Sequence, residues 1–290
     1  MSAASHGLTP EVISETVRLS LQEDLGSGCD CTTVSLVPED RLASAKLLAR
    51  EACVVAGVPV AEEVFRQIND SLQVTVFAQD GAAVEAGADI LAIVGPAGAI
   101  LTAERTALNF MQRMCGVATM AQRFVNATAA HGTLILDTRK TTPTLRAFEK
   151  YAVTCGGGTN HRFGLYDRVL IKDNHRKLWG GSGEALSLRE AVETARTRFP
   201  ELEIEIEVET LDELADALEG KPEWVLLDNM GPELLAKAVS LAAGRTKTEA
   251  SGGITMANVE AVAASGVDAI SLGCLTHSAP SVDLSLEIDV

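Results

Sequence analysis

The chain has 290 residues, of which 47% are apolar and 22% are charged, a composition typical of a globular protein with a sizeable core. Its formal net charge of −16 argues against a nucleic-acid or anionic-membrane partner, because binding to polyphosphate requires a basic surface. The sequence shows neither an apolar run of membrane-spanning length nor the basic-then-apolar order of an export signal, so we expect a cytoplasmic protein.

Six cysteines are scattered along the chain, at positions 29, 31, 53, 115, 155 and 274. Without an export signal we expect reduced thiols. Cys29 and Cys31 form the one close pair, and their spacing, with no second pair or histidines nearby, does not predict a zinc site. We interpret the cysteines as packing residues.

The first part of the chain predicts a small α+β domain. Thr9 is a suitable N-cap for a helix that starts with Pro10 at its first position. Alternating or apolar runs punctuated by glycines then predict strands of an antiparallel sheet: Ala45 to Ala49, Leu72 to Phe77 and Ile90 to Val94. We assign residues 1–115 to this domain and expect residues 278–290 to return to it.

Apolar residues at helical spacing predict a connecting helix from Thr102 to Met114. Arg105 falls in the first turn of this predicted helix, where a cation opposes the helix dipole by ~0.3–1 kcal/mol. Two interpretations remain open. Arg105 either pairs with Glu104 or solvent, or it holds an anion.

The second part, residues 116–277, repeats a short apolar run, a polar residue and an amphipathic stretch, which predicts strand-helix units and a parallel sheet. The runs start at Leu134, Val169, Ile204, Val225, Thr246 and Ala269, and the helical patterns are Leu188 to Phe199, Leu211 to Leu218, Pro232 to Ala243 and Met256 to Ala264. In an α/β barrel the carboxyl ends of such strands face one common mouth, where active sites lie. An open doubly wound sheet is the alternative.

Positive charge is concentrated after the first two of these strands. Residues 139–177 contain nine Lys/Arg and three acidic residues, a net charge of +6, whereas the rest of the chain carries −22. Arginine binds a carboxylate or phosphate through two parallel hydrogen bonds, and lysine adds a mobile charge. The segment therefore predicts a binding site for a small, multiply anionic ligand, whose candidate residues are Arg139, Lys140, His161, Arg162 and Lys172.

Glu207 and Asp228 end consecutive strands 21 residues apart, so we expect them to be neighbours. Two carboxylates facing a phosphate-rich site are suited to Mg²⁺, directly or through water. A general acid/base pair is an alternative. Because Glu203, Glu205 and Glu209 share the parity of Glu207, a solvated strand face is another.

Two loops rich in small residues follow the last strands. Ser251-Gly252-Gly253 precedes a predicted helix, and Gly273 to His277 follows the next strand. Small residues let backbone amides approach a phosphate at a helix N-terminus, and barrels frequently bind phosphate at their last strands. We therefore expect these loops to bind phosphate.

Several motifs in this order resemble quinolinate phosphoribosyltransferase (nicotinate-nucleotide pyrophosphorylase, carboxylating). They are Asp137-Thr138-Arg139-Lys140-Thr141-Thr142-Pro143, His161-Arg162, Lys172-Asp173-Asn174-His175, Leu227-Asp228-Asn229, Ser251-Gly252-Gly253-Ile254 and Leu275-Thr276-His277. The resemblance extends from about Leu8 to Ile288. It implies an incomplete, open parallel α/β barrel with a smaller N-terminal α+β domain, and transfer of the phosphoribosyl group of phosphoribosyl pyrophosphate to quinolinate. The products would be nicotinate mononucleotide, pyrophosphate and CO2, in NAD biosynthesis.

The resemblance also implies a homodimer, Mg²⁺ and a role for each site residue. The catalytic set would be Lys140, Lys172, Glu207 and Asp228. The quinolinate set would be Arg105 from the partner subunit, Arg139, His161, Arg162 and Lys172. The phosphoribosyl pyrophosphate set would be Lys140, Glu207, Asp228, Ser251, Gly252, Gly253, Gly273 and His277, with Glu207 and Asp228 also holding Mg²⁺. Thr144 departs from the glycine usual in the family, and Cys115 from the common serine.

Three rival functions remain to be weighed. A nicotinate-type phosphoribosyltransferase would need fewer cations, because its substrate has one carboxylate. A barrel lyase would use Lys172 or Lys140 as a Schiff-base amine and would require a desolvated lysine. A non-catalytic sensor of phosphorylated metabolites is the third.

Overall fold

The computed structural model describes residues 7–179 and 187–289. They form two compact units, each discontinuous in sequence: Met1–Gln122, Thr141–Gly157 and Cys274–Val290 make the first, and Arg123–Lys140 and Gly158–Gly273 make the second. The predicted domain boundary after residue 115 stays a sequence-based prediction. Among the described residues, the structure contains no helix long and apolar enough to span a bilayer.

The first unit contains three short to medium helices in its first 70 residues, α1 (Pro10–Leu25), α2 (Cys31–Leu36) and α3 (Val58–Ile68). The predicted start of α1 is confirmed, because the Thr9 hydroxyl accepts a hydrogen bond from the backbone N–H of Val12 at 3.3 Å. Asp30 caps α2 in the same way, through the N–H of Thr33. Both caps satisfy amides that a helix leaves unpaired at its first turn.

The antiparallel sheet of the first unit has the order β12-β1-β5-β3. Its strands are β1 (Leu42–Ala49), β3 (Gln73–Val76), β5 (Asp89–Pro96) and β12 (Leu284–Asp289), and the short strands β2 (Cys53–Val54) and β4 (Ala83–Val84) form a separate pair. The three strands predicted from the alternating pattern are confirmed. The carboxyl-terminal strand β12 pairs with β1, from Ser44 opposite Asp289 to Ala49 opposite Leu284.

Helix α4 spans Ala97–Thr128, so the prediction of a helix limited to Thr102–Met114 was wrong. Arg105 consequently lies in the third turn rather than the first, and the argument from the helix dipole does not apply to it. Gly116 does not end the helix. A Cβ there would lie 2.0 Å from the carbonyl oxygen of Pro280, so this glycine permits close packing of the chain segment that leads to β12. Two more helices, α5 (Arg146–Cys155) and α11 (Cys274–His277), also belong to this unit.

The second unit contains a six-stranded parallel sheet in the order β6-β11-β10-β9-β8-β7. Its strands are β6 (Leu134–Leu136), β7 (Val169–Ile171), β8 (Ile204–Val208), β9 (Trp224–Asp228), β10 (Lys247–Ser251) and β11 (Ala269–Ser271). From β7 to β11 each strand pairs with the next along the chain, and β11 pairs with β6. This order never reverses, unlike that of a doubly wound sheet. The predicted open α/β barrel is confirmed, with its gap between β6 and β7.

Helices of the second unit are α6 (Asp173–Trp179), α7 (Leu188–Arg198), α8 (Leu211–Glu219), α9 (Pro232–Ala242) and α10 (Val259–Ala263). The last is shorter than the predicted Met256 to Ala264. Parallel strands place all their carboxyl ends at one edge of the sheet. The charged residues that follow β6 to β10 therefore converge at this edge, which is the basis of the site described next.

Candidate active site

A cavity of about 480 Å³ lies within the first unit, and one of about 320 Å³ lies at the carboxyl-end edge of the parallel sheet. The second cavity contains all five residues that the sequence predicted for the anion site, together with Ser251. Its lining consists of Asp137, Thr138, Arg139, Lys140, His161, Arg162, Leu170, Lys172, Leu226, Glu249, Ser251 and Ser271. The ends of β6 and β7 and the segment before β7 thus supply cations to one space, as the basic segment of the sequence predicted.

Arg139 and Arg162 bring like charges close together in this cavity. The pKa of Arg162 is lowered, first by burial and then by the positive charge of Arg139. Arg162 also donates a hydrogen bond to the backbone carbonyl of Arg168 at 3.3 Å. Two neighbouring guanidinium groups repel each other, and an anion bound between them relieves that repulsion.

Asp137, fully buried at the end of β6, fixes the segment that carries His161. Its carboxylate accepts hydrogen bonds from the backbone N–H of His161 at 2.9 Å and from the Asn160 side chain at 2.6 Å. Hydrogen bonds between residues 135–137 and Thr159 tie the same segment to β6. Asp137 therefore positions the cavity wall, a role that the sequence argument had not separated from ligand binding.

Lys172 and Glu207 form an ion pair at the same edge, with Nζ 2.7 Å from Oε2. The side chain of Lys172 is 45% exposed and that of Glu207 is 9% exposed. Asp228 ends the neighbouring strand β9, and its pKa is raised, first by burial and then by the negative charge of Glu207. The two predicted carboxylates are therefore neighbours, and the prediction of a solvated strand face was wrong for Glu207.

Glu205 and Glu249 are functional candidates that the sequence argument missed. Both are fully buried, and the Nε2 atom of His161 lies 2.8 Å from Oε2 of Glu205 and 3.3 Å from Oε2 of Glu249. Glutamates that alternate with isoleucines in β8 were the available signal, but parity alone could not separate Glu205 from its exposed neighbour Glu203.

The titration of this cluster departs from ordinary values. Burial lowers the pKa of His161, but the nearby carboxylates of Glu205 and Glu249 outweigh it and raise the pKa to about 9. Burial raises the pKa of Glu205, yet His161 brings it below its usual value. The pKa of Glu249 is raised by burial and by the charge of Glu205. These directions describe an imidazolium held by an ionised Glu205.

The glycine loops follow β10 and β11 as predicted. Gly252 has φ of 90°, and a Cβ at this position would lie 2.1 Å from the Oδ1 atom of Asn229. Gly253 has φ of 63°. Both positions favour glycine for conformational reasons, and the partly exposed Ser251 lines the cavity beside them. Gly273 comes two residues after the end of β11.

Arg105 and His277 belong to the first unit, and both are exposed. Within the described residues Arg105 makes no hydrogen bond or ion pair. Pairing with Glu104 is therefore not seen, whereas contact with solvent and binding of an anion both agree with its exposure. The Nδ1 atom of His277 lies 2.6 Å from the hydroxyl of Ser278.

Thr144 and Cys115 were singled out as departures from the family pattern. Thr144 has φ of 69°, a left-handed conformation that is strained for a β-branched residue and readily adopted by glycine. Cys115 is buried, and its Sγ lies 3.3 Å from the backbone nitrogen of Ala56. The thiol therefore packs in the core, whereas Thr144 carries local backbone strain.

Comparison with known proteins covers both units. Residues 117–287 match the model of the quinolinate phosphoribosyl transferase C-terminal domain, and residues 30–115 match that of its N-terminal domain. A chloroplastic nicotinate-nucleotide pyrophosphorylase (carboxylating) of Oryza sativa subsp. japonica is 41% identical over 292 residues, which cover 96% of this chain and 78% of the relative. A probable nicotinate-nucleotide pyrophosphorylase (carboxylating) of Bacillus subtilis is 40% identical over 92% of this chain and 90% of its own.

Solved structures give the same result. The nicotinate-nucleotide pyrophosphorylase from Francisella tularensis superposes with a TM-score of 0.90 at 39% identity, covering 97% of this chain and 98% of the other. NadC from Streptococcus pyogenes superposes with a TM-score of 0.91 at 37% identity, with the same coverage. The likeness therefore includes the sequence as well as the fold.

Proposed function

The chain belongs to the quinolinate phosphoribosyltransferase family, and from this membership we propose that it transfers a phosphoribosyl group from phosphoribosyl pyrophosphate to quinolinate. The products are nicotinate mononucleotide, pyrophosphate and CO2, a reaction of NAD biosynthesis. The observation that carries the proposal is one cavity lined by Arg139, His161, Arg162 and Lys172, a cationic lining suited to a dicarboxylate.

In this proposal Arg139, His161, Arg162 and Lys172 hold the two carboxylates of quinolinate. The mutual repulsion of Arg139 and Arg162 supports the assignment, because a dianion converts that repulsion into two favourable contacts. Orienting the ring by both carboxylates directs its nitrogen at the ribose carbon, which accelerates transfer by fixing the reacting geometry.

Phosphoribosyl pyrophosphate lies on the other side of the cavity in this proposal. Lys140 binds its pyrophosphate. The backbone around Ser251, Gly252, Gly253 and Gly273, together with His277, receives the 5′-phosphate. Support comes from the positive φ of Gly252 and Gly253, since small residues let backbone amides approach a phosphate closely.

Mg²⁺ is the metal proposed for this side, held by Glu207 and Asp228 directly or through water. The donor set fits, because carboxylate oxygens are the ligands Mg²⁺ prefers. The pKa of Asp228 is raised by burial and then by the negative charge of Glu207, and a cation would relieve the repulsion between these two carboxylates. When bound, the metal neutralises charge on the leaving pyrophosphate.

The residues themselves perform the remaining tasks. Departure of pyrophosphate leaves positive charge on the ribose, which Glu207 and Asp228 stabilise as carboxylates. Lys140 balances charge on the leaving group. Lys172 joins the two halves, because it binds Glu207 and lines the cavity assigned to quinolinate. No nucleophile from the protein is required.

A Schiff-base lyase is disfavoured by the state of the two lysines. Lys140 is exposed, and Lys172 is 45% exposed and paired with Glu207 at 2.7 Å. A Schiff-base amine requires a desolvated lysine that gives up its proton readily. A nicotinate-type transferase is the nearer rival, and it is separated by substrate in the following test.

The test incubates the purified protein with quinolinate, phosphoribosyl pyrophosphate and Mg²⁺ and measures nicotinate mononucleotide and released CO2. We expect both products in equal amounts. A parallel incubation replaces quinolinate with nicotinate. No product from quinolinate, with nicotinate consumed instead, would overturn the substrate assignment.

We also propose a homodimer in which Arg105 reaches the quinolinate site of the partner subunit. Its exposure on α4 and its lack of a partner within the described residues support this proposal. Mixing an Arg105→Ala protein with an Arg139→Ala protein would then restore activity, because a hybrid dimer contains one intact site. No recovery despite hybrid formation verified by mass spectrometry would contradict it.

A cytoplasmic location completes the proposal. The acidic composition and the free state of the six cysteines support it, because free thiols are usual in a reducing compartment. The names of plant relatives place those proteins in the chloroplast or the mitochondrion. Fractionation of cells that express a tagged full-length chain tests the location.

A further inference from the structure

Glu205 and Glu249 contact the His161 ring from two strands that are not adjacent in the sheet. Glu205 lies on β8 and Glu249 on β10, with β9 between them. Adjacent strands are ~4.8 Å apart, so β8 and β10 are separated by about twice that distance. The two glutamate side chains converge over the intervening strand, and one nitrogen of His161, Nε2, therefore lies 2.8 Å from Glu205 and 3.3 Å from Glu249. The histidine is thus held from two sides.

The carboxylates retain unsatisfied hydrogen-bonding capacity. Within the described residues, Oε1 of Glu205 and Oε2 of Glu249 are buried and accept no hydrogen bond. Burying a carboxylate oxygen without a hydrogen bond destabilises the folded protein unless positive charge lies nearby. Arg168 provides part of it, with Nη1 3.4 Å from Glu205, and an imidazolium at His161 provides the rest.

Groups from several strands surround the imidazole ring of His161. Asp137, at the end of β6, accepts the backbone N–H of His161 at 2.9 Å, and Arg168, before β7, contacts Glu205. Strand β9 presents Leu226 to the cavity and β11 presents Ser271. Arg139, Arg162 and Lys172 line the same cavity and oppose protonation of the ring, whereas the two carboxylates in direct contact with Nε2 favour its protonated form.

We propose that Glu205 and Glu249 are positioning residues that hold the His161 ring through Nε2 and keep it protonated, so that the ring brings a positive charge to a ligand carboxylate in the cavity. A neutral ring would bring no such charge. The two buried glutamates thereby convert a histidine into a carboxylate receptor, and the identity of the ligand as quinolinate rests on the proposed function.

The first test needs no substrate. The chain has five histidines, and nitrogen-15 NMR of the labelled full-length protein, with the His161 signals assigned by their loss in His161→Asn, follows both ring nitrogens with pH. We expect His161 to remain doubly protonated at pH 8. In Glu205→Gln it should be neutral there, with a pKa near or below the ordinary value of about 6.5.

The second test measures quinolinate binding by calorimetry at pH 6 and pH 8. In Glu205→Gln we expect the dissociation constant at pH 8 to rise about tenfold or more, the value of one hydrogen bond to a charged group, with a smaller rise at pH 6. Glu203→Gln is the matched control, because Glu203 is on the same chain segment and pairs with Arg168 but not with His161. Its binding and its His161 titration should equal those of the wild type.

The outcomes separate the inference from the proposed function. A neutral His161 in the wild type at pH 8 overturns the inference, even if quinolinate is turned over. A doubly protonated His161 that becomes neutral in Glu205→Gln supports it, even if quinolinate does not bind, in which case the proposed function fails. If Glu205→Gln does not fold, Glu249→Gln undergoes the same two measurements. One equivalent of a divalent metal at His161, detected by elemental analysis and by its effect on the ring signals, would also overturn the inference.

Discussion

Two glutamates of strand β8, two residues apart, each bind a cation, but in different surroundings. Glu205 is fully buried with His161, whereas Glu207 meets Lys172, whose side chain is 45% exposed, at the edge of the cavity. The deeper pair, Glu205 with His161, is almost entirely shielded from solvent. The outer pair is open to exchange one partner for a ligand or a metal ion.

The difference shows how one strand can serve two purposes. A buried ion pair is hard to break, because separating it leaves a charge without solvent. An exposed pair contributes little to stability, so a ligand can rearrange it at small cost. The deep pair therefore maintains the geometry of the cavity, and the outer pair takes part in the proposed reaction.

The largest expected effect is on stability. Glu205→Ala leaves His161 and Arg168 without their shared carboxylate, and we expect the free energy of unfolding to fall by about 3 kcal/mol or more, as for other broken buried pairs. Lys172→Ala should change it by less than about 1 kcal/mol. Urea denaturation of both variants measures the contrast, and equal losses would show that depth does not distinguish the pairs.

The next effect is the pH dependence of the deep pair. The pKa of His161 is raised to about 9 in the folded protein, above about 6.5 in the unfolded chain. His161 therefore contributes stability that is fully present below about pH 6.5 and is lost as the pH rises through about 9. The difference in unfolding free energy between wild type and His161→Asn should shrink by up to about 3 kcal/mol between pH 6.5 and pH 9.5.

His131→Asn is the control for this titration, because His131 is exposed in the turn after α4. Its difference from the wild type should stay within about 0.5 kcal/mol at both pH values. A pH-independent difference for His161→Asn would contradict the charged state assigned to the deep pair.

The outer pair is tested by activity. Glu207→Gln keeps the shape of the side chain and removes the charge assigned to metal binding and ribose stabilisation, so we expect kcat/KM to fall by about 100-fold. Glu209→Gln, an exposed neighbour on the same segment, should keep wild-type activity. Because Glu207→Gln should leave unfolding nearly unchanged, a parallel loss of stability would place Glu207 with the deep pair instead.

Much of this arrangement could be predicted from the sequence. Apolar runs gave six parallel strands, and the polar residue after each run identified Arg139, Lys172, Glu207 and Asp228, because strand ends share an edge. The degree of burial of each glutamate within β8 was not predictable from the sequence. Parity places Glu205 and Glu207 on one face, but only the convergence of β8 and β10 on His161 determines that Glu205 pairs with a buried cation and Glu207 with a half-exposed one.

The length of α4 was missed for a related reason. Gly116, two residues after Met114, suggests an end to the helix. The helix continues because Gly116 packs against Pro280, a contact between residues more than 160 positions apart. Long-range contacts of this kind carry no local signal.

The smallest expected effect completes the series along the same chain segment. Glu203 precedes β8 and pairs with Arg168 at 2.6 Å, but its side chain is 50% exposed. Solvent screens such a pair, so Glu203→Gln should change the free energy of unfolding by less than about 0.5 kcal/mol and leave kcat/KM unchanged. Urea denaturation and steady-state kinetics check both values. The residue shares its type and parity with Glu205 and Glu207, so a large effect at this position would mean that burial does not decide what each glutamate contributes.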